Sequence, residues 1–200
     1  MNSFFGGNGF NIVDRGRGFL MDKSITTTRT NIEDNEVTFE NAWGVADEDI
    51  YNKVIKEADK HHQNGKPFFD FVMTTSNHRP YTYPEGKIDI PSGSGRSGAV
   101  KYTDYAIGDF LRKAETKDWY KNTVIIIMAD HCASSAGRQV LNLDKYHIPA
   151  FMINLPNTTP AIIDKMASQI DIFPTLFSVL NWNYNSNLYG TNILNMKPDE

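Results

Sequence analysis

The sequence predicts an α/β domain with a mainly parallel central sheet flanked by helices. Three runs of β-favouring residues, at 67–75, 122–129 and 147–155, have the length and composition of strands. Two longer segments, 47–64 and 100–114, carry apolar residues at helical spacing and alternate with these runs. A strand, helix, strand order favours a parallel pair joined by a right-handed crossover. The expected sheet is therefore parallel, with helices on its faces.

Length and composition indicate one domain that spans residues 1–200. With 40% hydrophobic and 12% aromatic residues, the chain can bury one sizeable core. A net charge of −4 and the lack of any lysine and arginine cluster argue against a nucleic-acid partner. No stretch approaches the roughly 20 apolar residues that span a bilayer, and no signal peptide follows Met1, so the chain is expected to be soluble. The single cysteine, Cys132, cannot form an internal disulfide.

The first part of the chain is predicted to be a loop-rich region followed by a helix. Residues 1–45 are rich in Gly, Asn and Thr and are expected to hold loops and short elements without a strand. From Asp47, which is expected to cap the helix, apolar residues follow at helical spacing. They are Ile50, Val54, Ile55 and Ala58. Asn64 and Gly65 are predicted to end this helix.

The predicted strand at 67–75 runs directly into a polar segment that contains a histidine. This segment is Ser76-Asn77-His78-Arg79-Pro80. His78 is therefore expected just past a strand end. The following stretch, 84–98, contains four glycines and two prolines. It is long enough to be an active-site flap, and a plain surface loop is an equally good interpretation.

The second predicted helix has an apolar face and leads into a buried strand. The face is formed by Val100, Thr103, Ile107, Phe110, Leu111 and Ala114. The unbroken β-branched run at 122–129 is typical of a strand buried on both faces, and Asp130 and His131 follow at its C-terminal end. Ligands of open α/β sheets collect at such ends, and a carboxylate beside an imidazole suits a divalent metal such as zinc or manganese. A strand end where Asp130 caps a turn and His131 is solvated is the alternative.

The last part of the chain is predicted to add a strand and two short helices. His147 lies at the beginning of the strand at 147–155. A short helix is expected at 160–168, and another at 171–180. Asp171 is interpreted as the cap of that second helix rather than as a metal ligand.

Five motifs occur in order along the chain. They are Asn2-Ser-Phe-Phe-Gly-Gly-Asn-Gly-Phe10, Thr75-Ser-Asn-His-Arg-Pro-Tyr-Thr-Tyr-Pro84, Ile127-Met-Ala-Asp-His131, Lys145-Tyr-His-Ile-Pro149 and Gln169-Ile-Asp-Ile-Phe-Pro-Thr-Leu176. With them the chain closely resembles the second half of the sulfatase-like membrane phosphoglycerol transferases, which include lipoteichoic acid synthase and the enzymes that add phosphoglycerol to periplasmic glucans. The resemblance runs from Asn2 to about Leu194. It implies an alkaline-phosphatase-like layered fold that is incomplete at its N-terminal side, with this chain as the C-terminal portion of the catalytic domain.

The resemblance also implies a covalent two-step transfer. In the family, a metal-activated threonine attacks the phosphorus of an anionic lipid, holds the phosphoglycerol group and passes it to an acceptor hydroxyl. The metal is bound by a glutamate and that threonine from the first half of the domain and by an Asp-His pair from the second half, which Asp130 and His131 match. His78 matches a substrate-pocket histidine, and a histidine can move protons near neutral pH. His147 resembles a further pocket histidine of the phosphoethanolamine transferases, although lipoteichoic acid synthase has no obvious counterpart.

The family's glutamate, threonine nucleophile and membrane helices have no counterpart in the sequence. The chain alone is therefore expected to bind metal weakly and to be inactive. The parent protein is expected to be anchored in the membrane by absent N-terminal helices, with a periplasmic or extracellular catalytic domain. Its expected partners are a phospholipid headgroup donor and a glycan or polymer acceptor. A homo-oligomer formed through an exposed sheet edge is a further expectation.

Two other functions stay open from the sequence. One is a sulfatase or phosphatase-type ester hydrolase on the same scaffold, and the other is a non-catalytic domain that binds a lipid headgroup or a glycan. Cys132 lies next to the metal pair, which suggests a nucleophile. However, sulfatases take their modified residue from a Cys/Ser-x-Pro-x-Arg segment, and Cys132-Ala-Ser-Ser does not match it. The thiol is therefore expected to be inert.

Overall fold

The computed structural model describes residues 2–5, 25–27, 31–133 and 143–197. The chain divides into two compact units, Met1–Lys121 and Asn122–Glu200. The prediction of one domain over residues 1–200 stays a prediction. Within the described ranges, no helix is both long enough and apolar enough to cross a bilayer.

The first unit contains a three-stranded parallel sheet. Strand β1 (Asn2–Phe5) is central and pairs in parallel with β2 (Ile25–Thr27) and with β5 (Asp70–Met73). A two-stranded antiparallel hairpin joins β3 (Glu40–Asn41) to β4 (Gly44–Val45). The prediction that residues 1–45 contain no strand was wrong. Strands of two to four residues show too few positions for a periodic pattern, and their pairing depends on distant partners.

Helix α1 (Asp47–Gln63) has the apolar face that its spacing predicts. All four predicted positions, Ile50, Val54, Ile55 and Ala58, are buried. The helix ends at Gln63 with Asn64 as its C-cap, and Gly65 follows with a φ of 65°, a left-handed conformation that glycine adopts at little cost. The predicted C-terminus is therefore confirmed.

The N-terminus of α1 differs from the prediction because Asp47 is not its cap. Ala46 occupies the cap position, and no side chain caps the helix. Three consecutive acidic residues, Asp47, Glu48 and Asp49, are instead buried in the first turn. Each accepts hydrogen bonds from other segments, and their negative charges suit the positive end of the helix dipole. Burial raises the pKa of the Asp47 carboxyl, and hydrogen bonds from Ser76, Thr75 and Thr103 oppose that rise.

Each buried acid holds a different part of the first unit. Asp47 accepts hydrogen bonds from the main-chain N–H groups of Thr75 and Ser76, at 3.1 and 3.0 Å. Glu48 accepts hydrogen bonds from the Lys87 ammonium and the Tyr102 hydroxyl, at 3.0 and 3.1 Å. Asp49 accepts hydrogen bonds from the N–H and hydroxyl groups of Thr38, both at 2.9 Å, and from the N–H of Phe39 at 3.3 Å. One helical turn thus connects four separate segments.

Helix α2 (Arg96–Glu115) packs only partly through the predicted face. Ala114 is buried and Phe110 packs against two buried clusters, as predicted, but Val100 is 53% exposed. The rest of the buried face is formed by Tyr102 and small residues, namely Gly98, Ala99 and Ala106. Small side chains allow close approach, and a Cβ on Gly98 would lie 2.2 Å from the hydroxyl of Tyr83. The rings of Tyr83 and Tyr102 stack at 5.0 Å, an apolar contact that hydropathy alone does not reveal.

The loop between Tyr83 and α2 is fixed to the first unit. The N–H of Tyr83 donates to Ser92 Oγ at 2.8 Å, and its hydroxyl lies 3.1 Å from the carbonyl oxygens of both Ile90 and Pro91. Lys87 in this loop pairs with buried Glu48. These contacts favour the interpretation as a surface loop over that of a flap.

The second unit contains an antiparallel pair, β6 (Ile125–Met128) and β7 (Ala150–Ile153), in which Ile125 lies opposite Ile153. The predicted parallel crossover was wrong in its partners, since β5 pairs with β1 and β6 pairs with β7. Ile125–Met128 is also only partly buried, rather than buried on both faces. An apolar run predicts a strand, but hydrogen bonds to distant residues decide its partner and its direction.

Helix α3 (Ile172–Val179) follows a 3-10 turn at Gln169–Asp171. Buried Asp171 accepts hydrogen bonds from the N–H groups of Ser168 and Thr191, at 2.7 and 2.8 Å, so its carboxylate joins two chain segments as well as closing the turn. The predicted helix at 160–168 is absent from this described stretch. Ile162 there is 96% exposed, and so short a helix needs packing to form.

The role of Asp47 predicts a large loss of stability when its carboxylate is removed. In Asp47→Ala, two buried N–H groups lose their acceptor, which should lower the free energy of unfolding by about 3 kcal/mol. Urea unfolding followed by circular dichroism measures this difference. The matched control is Asp89→Ala, which removes an exposed ion pair with Lys101 and should change little. Equal stability of the two variants would contradict the role of Asp47.

A second prediction concerns the acid stability of the first unit. The side-chain hydrogen bond from Lys56, helped by Lys53, holds the pKa of Glu36 at about 2, below its ordinary 4.5. A carboxyl whose pKa is lower in the folded state stabilises the fold above its unfolded pKa, and this stabilisation is lost as pH falls towards the folded value. The difference in unfolding free energy between the wild type and Glu36→Gln should therefore shrink from about pH 6 to about pH 3.

The control for Glu36 is Glu57→Gln, which removes an i,i+3 pair with Lys60 at 3.6 Å. Its effect should be small at both pH values. A difference between the wild type and Glu36→Gln that stays constant with pH would show that Glu36 acts through packing alone.

Candidate active site

Asp130 and His131 lie where β6 ends, as predicted. Their side chains are 70% and 67% exposed, so both face solvent. Asp130 Oδ1 accepts the main-chain N–H of His131 at 2.9 Å, which orients the carboxylate. The other carboxylate oxygen, Oδ2, lies 3.5 Å from His131 Nε2. An imidazole nitrogen and a carboxylate oxygen are therefore held side by side.

The imidazole of His131 is oriented by its other nitrogen. His131 Nδ1 lies 2.9 Å from the main-chain carbonyl of Cys132. A carbonyl oxygen only accepts, so Nδ1 carries the hydrogen, and the neutral ring keeps a lone pair on Nε2. Metal-binding histidines use this arrangement, in which one ring nitrogen donates to a carbonyl while the other faces the metal.

The spacing of the two side chains also suits a metal. Two ligand atoms at about 2.1 Å from a tetrahedral ion lie about 3.4 Å apart. Asp130 Oδ2 and His131 Nε2 are separated by a similar distance, 3.5 Å. Among the described residues, however, no group of three or more His, Cys, Asp or Glu side chains is arranged to hold an ion. The pair therefore fits half of a four-ligand site.

Gln169 supports the end of β6 and was not identified as a site residue from the sequence. Its Nε2 donates to the carbonyl oxygens of Ala129 and Asp130, at 3.1 and 3.0 Å. These bonds fix the main chain that carries Asp130 and His131. Gln169 is the first residue of one of the five motifs, and this position in the sequence could have identified it as a site residue.

His147 is connected to the same segment through Cys132. The thiol of Cys132 donates to the main-chain carbonyl of His147 at 3.0 Å. This bond brings the start of the β7 segment beside the metal pair, within the second unit. The His147 side chain is exposed, and its predicted contact with substrate stays a prediction.

His78 lies in the first unit, just past β5, and its ring is fixed on two sides. Its Nδ1 lies 3.1 Å from the carbonyl of Thr75, so Nδ1 carries the hydrogen and the neutral ring has its lone pair on Nε2. The indole of Trp43 stacks on the imidazole, with ring centroids 4.2 Å apart. Trp43 Nε1 also donates to the carbonyl of Arg79. Trp43 could not be identified from the sequence, because it lies in the turn between β3 and β4, far from His78 along the chain.

Asp47 holds the segment that precedes His78 through hydrogen bonds to its carboxylate. Besides the two N–H groups, its carboxylate accepts the hydroxyl of Ser76 at 2.7 Å and that of Thr103 at 3.1 Å. Thr103 in turn accepts a hydrogen bond from the amide of Asn77 at 2.8 Å. Thr75, which Asp47 holds, is the residue whose carbonyl orients His78. Three consecutive acids at one helix start, more than a cap requires, were the sequence signal for this role.

The sequence profile of the Sulfatase family matches residues 2–182. This match covers most of the chain, and the protein therefore belongs to the sulfatase family.

Two solved structures share the fold. A protein of the alkaline phosphatase superfamily from Vibrio parahaemolyticus superposes with a TM-score of 0.86 at 33% identity, over 98% of this chain and 48% of that one. The lipoteichoic acid synthase LtaP from Listeria monocytogenes superposes with a TM-score of 0.78 at 23% identity, over 97% of this chain and 53% of that one. The predicted alkaline-phosphatase-like α/β fold is thus confirmed.

The curated relatives agree with the resemblance drawn from the motifs. Lipoteichoic acid synthase-like YvgJ from Bacillus subtilis is 26% identical over 163 residues, and lipoteichoic acid synthase from Staphylococcus aureus is 26% identical over 129. Phosphoglycerol transferase I from Escherichia fergusonii is 28% identical over 102 residues. The matches cover 70%, 55% and 48% of this chain but only 26%, 20% and 13% of the respective relatives. The chain thus spans about a quarter of their length or less.

The contact of His78 with Thr75 predicts its tautomer. In the neutral state the hydrogen should reside on Nδ1, because only a donor can face the Thr75 carbonyl. A long-range proton–nitrogen correlation spectrum of nitrogen-labelled protein distinguishes the two tautomers. His62, exposed near the end of α1, provides the internal comparison. A hydrogen found on Nε2 of His78 would contradict the geometry.

Proposed function

We propose that this chain is part of a divalent-metal-dependent phosphoglycerol transferase and supplies half of its metal site. The observation that carries the proposal is the spacing of 3.5 Å between Asp130 Oδ2 and His131 Nε2, together with a ring that presents its Nε2 lone pair. Membership of the sulfatase family and relatives named as phosphoglycerol transferase and lipoteichoic acid synthase support the reaction class.

Asp130 and His131 would hold the metal, for which manganese or zinc is proposed. When bound, such an ion supplies positive charge to phosphoryl oxygens and lowers the pKa of a coordinated hydroxyl. The remaining ligands, a glutamate and a nucleophilic threonine, are proposed to come from outside these 200 residues. A chain with two ligands should bind a divalent ion weakly.

His78 is proposed to move the proton in each half of the reaction. As the threonine oxygen bonds to phosphorus, the bond from phosphorus to the lipid oxygen breaks, and a protonated His78 gives that oxygen its hydrogen. In the second half, an acceptor oxygen bonds to phosphorus, the bond to threonine breaks, and His78 Nε2 takes the acceptor's proton. The Thr75 carbonyl and the Trp43 ring keep Nε2 as the reactive nitrogen. His147 is proposed to contact the headgroup.

The partners proposed are an anionic phospholipid as donor and a glycan or polymer hydroxyl as acceptor, outside the cytoplasmic membrane of a bacterium. The parent protein is proposed to be anchored in that membrane. A homo-oligomer formed through a sheet edge stays a prediction.

Metal titration tests the half-site directly. Calorimetric titration of the 200-residue chain with manganese or zinc should detect weak binding, and His131→Ala or Asp130→Asn should weaken it by at least about tenfold. His62→Ala, which changes an exposed histidine far along the chain, should leave the affinity unchanged. Affinity that does not depend on His131 would remove the basis of the proposal.

Product analysis then tests the reaction class. The chain alone should not turn over a phosphoglycerol or nitrophenyl-phosphate substrate, since two proposed ligands are missing. Metal-dependent turnover by the chain alone that His131→Ala abolishes would contradict this expectation. In a protein completed with its proposed upstream half, an acceptor carrying phosphoglycerol indicates a transferase, whereas release of free glycerol phosphate to water indicates a hydrolase.

A further inference from the structure

Two guanidinium groups lie near the phenol of Tyr81, in the segment that carries His78. Arg96 Nη2 donates to the Tyr81 hydroxyl oxygen at 2.9 Å, and its guanidinium carbon lies 5.4 Å from the centre of the Tyr81 ring. Arg79, two residues before Tyr81, is also close enough for its side chain to lower the pKa of the Tyr81 phenol. Both arginines therefore act on the same phenol.

This cluster has many donors and few acceptors. The Tyr81 oxygen accepts a hydrogen bond from the Arg96 guanidinium, so its own hydrogen is directed elsewhere. Each guanidinium has five N–H donors, most of which remain after this contact. Within the described residues, neither Arg79 nor Arg96 forms an ion pair with a carboxylate, and the first turn of α2 has no acidic residue. An anion would therefore complement the positive charge of Arg79 and Arg96.

Other cations of the first unit make a contrast with this pair. Most of the described ones contact a carboxylate: Lys53, Lys56, Lys60, Lys87, Lys101, Arg112, Lys113 and Lys117. Arg79 and Arg96 instead both lie near the Tyr81 phenol, although like charges repel. Planar guanidinium groups bind phosphate oxygens through paired hydrogen bonds, and two of them suit one phosphate group.

The main chain holds the cluster beside His78. The N–H of Tyr81 donates to the carbonyl of His78 at 2.7 Å, and the N–H of Gly93 donates to the carbonyl of Tyr81 at 3.1 Å. Tyr81 has a φ of 63°, a conformation that costs a non-glycine residue about 1 kcal/mol or more. The surrounding hydrogen bonds maintain this conformation, which turns the phenol towards Arg96.

We propose that Arg79, Tyr81 and Arg96 form a subsite for the phosphate group of a phosphate ester, next to His78. The subsite deepens the proposed function and rests on it for the identity of the ester. Two sources carry the same chemistry, namely a phospholipid headgroup and a soluble glycerol phosphate unit of an acceptor.

Anion titration tests the subsite without metal. Calorimetric titration with glycerol phosphate in the presence of a chelator should show binding, and Arg79→Gln and Arg96→Gln should each weaken it by about tenfold. The matched control is Arg112→Gln, because Arg112 is an exposed arginine of the same helix α2 that already lies near Asp109. That variant should bind as the wild type does. Near-ultraviolet circular dichroism checks that each variant is folded.

Tyr81 provides a second measurement at the same place. Hydrogen bonding to Arg79 and the positive charge of Arg96 lower its phenolic pKa. A bound phosphate would offset that positive charge, so saturating glycerol phosphate should raise the pKa of Tyr81. Ultraviolet titration measures this pKa when the titration curve of Tyr81→Phe is subtracted from that of the wild type. The rise should disappear in Arg96→Gln and persist in Arg112→Gln.

Two lipid mixtures distinguish the sources. Vesicles that contain phosphatidylglycerol, compared with vesicles of phosphatidylcholine alone, should bind the chain through Arg79 and Arg96 if the source is a lipid headgroup. Binding of glycerol phosphate but not of these vesicles supports the soluble source. Absence of binding to either ligand, or binding that both arginine variants retain, overturns the subsite. Because no metal is present, this outcome is independent of the test of Asp130 and His131.

Discussion

The first unit depends on a cluster of three buried carboxylates at the start of α1. Asp47, Glu48 and Asp49 accept hydrogen bonds from the His78 segment, the 84–95 loop, helix α2 and the chain before β3. Buried charges are costly unless they are fully paired, and the helix dipole offsets part of that cost. These separate segments are therefore fixed to one helix. Because Thr75 is among the residues held in this way and its carbonyl contacts the imidazole, His78 has a defined orientation although it lies beyond a strand end.

The pair Asp130 and His131, proposed to bind metal, follows a different physical principle. Its geometry is set by neighbours along the chain, because the N–H of His131 orients Asp130 and the carbonyl of Cys132 orients His131. Gln169 supports it from farther along the chain. Such a site can be recognised in the sequence as an acid and a histidine at the end of an apolar run. The His78 side of the proposed chemistry, in contrast, relies on Trp43 and Asp47, which lie far from it in sequence.

Prediction from the sequence worked where periodicity is strong. The face of α1 was predicted correctly because its large aliphatic residues recur every three or four positions. The face of α2 was predicted only in part, because glycine, alanine and tyrosine form much of it, and these residues carry little hydropathy signal although they pack closely. Strand partners were also missed, since β5 pairs with β1 and β6 pairs antiparallel with β7. The arginine pair around Tyr81 has no sequence pattern, because Arg79 and Arg96 belong to separate elements.

The sequence by itself determined helix α1, the strands that precede His78 and Asp130, and the local chemistry of the Asp130–His131 pair. These features depend on neighbouring residues, whose spacing is visible in the chain. Only the tertiary structure decided that Asp47 holds the His78 segment instead of capping a helix, and that Trp43 covers the imidazole. The role of Asp47 depends on hydrogen bonds between residues that lie 28 to 56 positions apart in the sequence. A buried carboxylate needs hydrogen-bond donors, and the fold brings these donors from distant parts of the chain. A local sequence pattern therefore cannot identify them.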